Sequence, residues 1–295
     1  MTKFVCALGF VALAGAAGCS SDSTAPNPLD QIPDFVYVSN QNGSDQLFTY
    51  SKGASALLAG SVAGDIDPQS AHGRIVFTSY RDGPTNAEIY SMKNDGSDLQ
   101  RLTNNPAVDV EPSLSPDGTK IVFVSLRTST SRLWTMAADG SSPAELATGS
   151  DEFTPESAPR FSPDGTQILF DSPRTGVSQL YIMPAAGGTA VQLTHESNGA
   201  FSGSWSADGA SVFYVDGHDH TTIHRITTAG GTVSDYVTGG TDVGDPACTS
   251  TQCLVVSGVT AGTGDIFVYT GAGDDNPLKV VGTSGNERQP ALLFP

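Results

Sequence analysis

Cations are scarce in this chain. Fourteen lysines and arginines face thirty-one aspartates and glutamates, a formal net charge of -17 over 295 residues. Nucleic-acid binding needs clustered lysine and arginine, so that class of partner is excluded. Anionic lipid headgroups would be repelled by the same surface, and cationic groups are what its field attracts. Long apolar runs are missing too. Phe4 to Ala14 is the N-terminal apolar stretch, and it is too short to span a bilayer as a helix. No long stretch carries the amphipathic helical period. A Gly-x-Ser-x-Gly elbow, a His-Glu-x-x-His pair and a phosphate loop are all absent, so no catalytic residue, no cofactor and no metal is expected. Cysteines number four.

The chain opens with Met1-Thr2-Lys3, the apolar stretch, and Ala16-Ala17-Gly18-Cys19. A charged start, a short apolar core and small residues before a cut form a secretory signal. With a cysteine directly after the small residues it resembles a bacterial lipoprotein signal, although Ala16 stands where leucine is commoner. That resemblance implies that Cys19 becomes the lipidated first residue and that Ser20 sorts the protein to an outer membrane. Ser20 to Pro33 is polar and reads as a tether. The expected organisation is a signal over 1–18, a lipidated cysteine and tether over 19–33, and one folded domain over 34–295. Cys6 leaves with the signal and Cys19 takes the lipid, which leaves Cys248 and Cys253 as a pair in an oxidising compartment. Thr-Ser-Thr-Gln separates them at the place of a tight turn, so a disulfide across a hairpin is expected.

What fills the domain is a repeat. Glu111 to Phe123, Ala158 to Phe170 and Gly203 to Tyr214 align, with Phe123, Phe170 and Tyr214 marking a period of about 45 residues. Each unit reads as four strands. In the first, Pro112 to Leu114 is a short strand, Ser-Pro-Asp-Gly is a turn with proline presetting φ and glycine accepting positive φ, and Ile121 to Val124 is apolar throughout. Arg132 to Met136 alternates, and a weak outer strand runs from Ala144 to Thr148. Degenerate copies surround Asp67-Pro68 and Asp245-Pro246. The domain begins with a second-strand pattern, Phe35 to Val38, and ends with a first-strand pattern, Glu287 to Phe294. Joined, these fragments complete one blade. An all-β, six-bladed propeller of four-stranded antiparallel blades follows, closed by the C-terminal strand, which removes the open edges of an unclosed array.

These residues resemble the WD40-like repeat of TolB-type propellers: Pro-x-Phe-Ser-Pro-Asp-Gly, then Ile-x-Phe, Leu-Tyr and the closing Leu102-Thr103 and Leu193-Thr194. The resemblance implies the fold and leaves function open. It also implies an α/β domain before the propeller, and in its place stands only the short tether.

Connectivity sorts the loops onto two rims. One holds the turns Asp117-Gly118, Asp139-Gly140, Asp164-Gly165, Gly187-Gly188 and Asp208-Gly209, which read as turn chemistry. The other holds acidic residues just before the inner strands: Asp65 and Asp67, Asp109 and Glu111, Glu152 and Glu156, Asp242 and Asp245, and Glu287. Arg81, Arg127 and Arg174 fall on the same rim. Two readings stay open: carboxylates and arginines pair between blades, or the acids form a funnel for a cationic group. The ligand-binding candidates are Asp67, Asp109, Glu111, Glu152, Glu156, Asp245, Glu287 and the loop residue His195. His218, His220 and His224 form a polar group on that rim and His72 lies on the other. The functional expectation is a non-catalytic envelope lipoprotein, a monomer that binds an envelope protein or a cationic ligand at the acidic rim and touches the membrane only through its anchor. The alternative is a metal-dependent polysaccharide lyase-like propeller enzyme.

Overall fold

A computed structural model describes residues 31–150, 154–218, 220–238, 242–249, 252–258, 264–270 and 277–293. The signal, Cys19 and most of the tether therefore lie outside the described residues. Six separate four-stranded antiparallel sheets form the molecule, and no α-helix occurs among the described residues. Numbered along the chain, the blades have inner strands Glu287–Leu292, Asp65–Ala71, Asp109–Leu114, Ser157–Phe161, Ala200–Trp205 and Val243–Cys248. The first blade is split as expected. Its strand order is Glu287–Leu292, Phe35–Ser39, Gln46–Ser51, Ala54–Leu57, with Phe35 opposite Leu292 and Ser39 opposite Glu287.

Second strands are the apolar centre of each blade. Phe35–Ser39 is buried at every position, and Lys120–Ser125 at every position after its lysine. Both faces of such a strand are covered, so β-branched and aromatic residues occupy both. The core is six clusters, each spanning two neighbouring blades. Val122 and Val124 pack on Ile168 and Phe170, and Val36 and Val38 pack on Ile75 and Phe77. Phe35 and Tyr37 of the split blade meet Leu254 and Val256 of the sixth. Ring closure therefore rests on apolar packing as well as on strand pairing, at roughly 1.5–3 kcal/mol for each fully buried large side chain.

Five inner strands begin earlier than the proline-centred reading of the sequence suggests, the split blade's begins at Glu287 as expected, and all six carry the same irregularity. Register shifts one residue into the fourth blade's inner strand and two residues into each of the others. The residue there has positive φ: Asp67 52°, Glu111 53°, Ala158 50°, Ser202 55°, Asp245 46° and Gln289 51°. A non-glycine residue in this region costs about 1–2 kcal/mol, so six repeats mark an architectural bulge. Proline follows in five blades, at a position where no ladder donor is needed, and Gly203 in the fifth.

On the opposite rim, the turn aspartates do turn chemistry. Asp117 Oδ1 accepts from Ser115 Oγ at 2.6 Å, from the Thr119 amide at 3.0 Å and from Thr119 Oγ1 at 2.8 Å. Asp164 and Asp208 repeat the arrangement. In the sixth blade a disulfide joins Cys248 to Cys253, which are directly opposed with Cα atoms 4.1 Å apart.

Candidate functional site

The acidic residues divide by position into two sets. Where the inner strand begins, Asp65 and Asp109 at its first position and Glu156 just before it are fully buried. Each is capped by the arginine two residues beyond the neighbouring second strand. Arg81 reaches Asp65 at 2.9 Å, Arg127 reaches Asp109 at 2.7 Å and Arg174 reaches Glu156 at 3.0 Å. Each guanidinium also lies over aromatic rings of its own blade, 4.6 Å from the Tyr90 centroid, 4.8 Å from Trp134 and 4.5 Å from Tyr181. These pairs form within a blade, which corrects the expectation of pairing between blades. The second strand ends on the rim where the adjacent inner strand begins, so the loop folds back over its own sheet.

The remaining acceptor capacity of these carboxylates is used internally. Asp109 also accepts from Ser125 Oγ at 2.6 Å and Asn105 Nδ2 at 2.7 Å, and Glu156 from Thr148 and Ser150. Glu287 holds the equivalent place in the split blade, buried and bonded by Ser39 at 3.1 Å and Thr283 at 2.5 Å, with Gln41 where blades two to four have arginine. Asp109, Glu156 and Glu287 are thus internal to the fold. Glu152 lies outside the described residues.

Asp67, Glu111 and Asp245 sit at the bulge and line a central cavity of about 540 Å³. Here the contacts do run between blades. The Ala158 amide donates to Glu111 Oε2 at 2.6 Å, the Gln289 amide to Asp245 Oδ2 at 3.2 Å, and the Asp67 amide to Gln289 Oε1 at 3.1 Å, while Gln289 Nε2 donates back to Asp67. Burial pushes all three carboxyls above the ordinary carboxylate range, against these hydrogen bonds and the field of Arg160.

Two residues of this site were not picked out by sequence reasoning. Arg160 is the only arginine or lysine lining the cavity. Its Nη1 donates to the carbonyl of its own neighbour Pro159 at 2.9 Å, and no carboxylate among the described residues pairs with it. Asp171 is 6% exposed and interrupts the apolar second strand Gln167–Ser172. Its Oδ2 accepts from the Ser202 amide at 3.2 Å, and its Oδ1 has no partner. Burial first, then the nearby Glu111 charge, raises its pKa to about 8. Asp171 is the one acid followed by a further residue of its second strand, and that was the available signal; for Arg160 the bulge at Ala158 breaks the two-residue alternation that would have placed it.

Past the acids and Arg160, the cavity wall turns apolar, with Leu114, Phe161, Trp205 and Leu292. His195 lies elsewhere, in a groove of about 370 Å³ beside Glu196 and Gly230 that shares no lining residue with the central cavity. Glu196 accepts from Tyr214 at 2.6 Å, and the Tyr214 ring stacks on His224. His220 packs against Phe201. Among the described residues, no three or more of His, Cys, Asp or Glu are grouped to hold a metal ion.

Among known families, the TolB beta propeller domain matches residues 66–159 and 150–292. The chain belongs to the TolB beta-propeller family. A TolB homolog from Chlorobium luteolum is 33% identical over 92 residues, which are 31% of this chain and 20% of that protein. The chain thus spans a small part of the curated relative it matches. TolB from Acinetobacter baumannii superposes with a TM-score of 0.75 at 18% identity, over 90% of this chain and 68% of that one. Kuenenia stuttgartiensis hydrazine synthase does so at 0.70 and 15%, over 88% and 46%. Puromycin hydrolase does so at 0.58 and 16%, over 81% and 42%. At these identities the likeness is one of fold.

Proposed function

We propose that this TolB-family propeller is an exported, lipid-anchored binding protein of the cell envelope, facing the periplasm or the cell surface, that engages a cationic group of its partner at the acidic end of the central cavity and performs no catalysis. The observation that carries this reading is the convergence of Asp67, Glu111 and Asp245 from three blades onto one end of that cavity, in a chain of net charge -17. Desolvated acids in a narrow cavity focus their field and favour a cation that restores charge balance. Asp65, Asp109 and Glu156 are already paired with their own arginines and Glu287 is buried against hydroxyl donors, so the attraction belongs to the bulge set.

The measurement is binding of a lysine-rich peptide to the full chain at two ionic strengths. Affinity should fall with salt, and the triple variant D67N/E111Q/D245N, which keeps side-chain size, should bind at least ten-fold more weakly. Unchanged affinity in a folded triple variant refutes the cation site. The anchor is tested separately: C19A should release the protein from membranes, and a C19A protein that still sediments after a carbonate wash rules the anchor out.

A further inference from the structure

We propose that the central cavity binds a short zwitterionic peptide of two or three residues, with its free amino group at the acidic ring and its terminal carboxylate on Arg160. This rests on the cation reading above and adds an anionic subsite to it.

The first support is an unsatisfied polar system. Buried polar groups are normally paired. Arg160, half-buried at the cavity wall, makes one hydrogen bond through its fork, to the carbonyl of its own neighbour. Asp171, nine-tenths buried behind the cavity wall, keeps one oxygen without a partner while the other holds the amide of the lining residue Ser202. The charges of Glu111 and Arg160 both act on Asp171. Arg160 and the acids of the bulge set therefore share one cavity and feel one another's charge, while the guanidinium keeps donors open towards it. A guanidinium with open donors is suited to a carboxylate, which it can bind through two parallel hydrogen bonds.

The second support is spacing. The acids occupy the bulge of the inner strands, and Arg160 stands two residues further along its strand than the bulge residue Ala158. Two strand residues rise about 7 Å. An extended dipeptide covers a span of that order. The third support is the wall beyond Arg160. Leu114, Phe161 and Trp205 line it, giving an apolar side chain a place to lie, and a cavity of about 540 Å³ is in the range of small-ligand sites. Trp205 is itself fixed by donating to the Arg160 carbonyl at 3.2 Å.

Calorimetric titration of the full chain with alanyl-leucine, its N-acetyl form and its C-terminal amide tests this. The free dipeptide should bind, and each blocked form should bind at least ten-fold more weakly. R160Q should abolish the preference for the free acid over the amide, and R160K should restore part of it. An amide that binds as well as the free dipeptide overturns the proposal but leaves the cation site standing. So does discrimination that survives in R160Q. Failure of the free dipeptide to bind at millimolar concentration overturns it as well, and the lysine-rich peptide then reports whether the cation site survives alone. Melting of each variant controls for folding. Should R160Q unfold, the comparison of acid with amide in the native protein decides the matter.

Discussion

Arg127 closes three contacts at once: Asp109 at 2.7 Å, the Trp134 ring and the Phe123 ring. Removing it leaves Asp109 buried and uncompensated, which is the costly half of breaking an ion pair. R127A should lose about 3 kcal/mol in urea unfolding, whereas R127Q combined with D109N, which leaves no buried charge, should lose clearly less; equal losses would argue that Arg127 acts mainly by covering Trp134. Asp171 has the opposite character. Its pKa in the fold, about 8, exceeds the ordinary 3.9 of an unfolded aspartate. The folded protein therefore holds a proton that the unfolded chain releases, and this contribution is full below about pH 4 and lost as pH rises through 8. D171N keeps an acceptor for the Ser202 amide and does not titrate, so it should gain melting temperature over the native protein at pH 8 and little at pH 5. Asp67, Glu111 and Asp245 are shifted the same way, so some decline with pH should remain in the variant. Repetition made Asp109 and Arg127 legible as a set, but not their partnership, because strand order does not say which loop folds over which sheet. Asp171 was hidden by its neighbours: an apolar run with one acid reads as a strand.

At the level of elements, the turns were readable because their chemistry is local. Ser115, Asp117 and Thr119 bond among themselves within five residues. The inner-strand bulges were not. Aspartate, glutamate and proline are all poor strand formers, so Asp67-Pro68 and Glu111-Pro112 read as strand entrances. Only the partner strand shows that pairing begins two residues earlier, at Asp65 and Asp109. The cysteine hairpin lies between these cases, since the sequence placed Cys248 opposite Cys253 and the sheet register agrees. Its closed loop is short, so the bridge should contribute about 2 kcal/mol, and C248S/C253S should lower stability by that amount. A non-reduced digest should yield the two cysteines in one linked peptide; free thiols at both positions would refute the bridge.

For the whole molecule, two half-patterns at opposite ends of the domain sufficed to foresee closure, since each was useless alone. Removing residues 287–295 should strip the split blade of its inner strand, expose the edge of Phe35–Ser39 and drive aggregation. A monomer with unchanged melting would contradict the closure. The same seam has a bearing on time. Ser39 and Glu287 bond across 248 residues of sequence, and bringing such distant segments together costs about 5 kcal/mol of loop entropy. Blades two to six can each form from contiguous chain, but the first must wait for Glu287–Leu292. Closing the ring should therefore be the late, slow event of folding. A polypeptide that stopped short of that strand would keep five blades and one bare edge, a form that proteases and chaperones could tell apart from the finished protein. The seam thereby doubles as a check that synthesis reached Leu292.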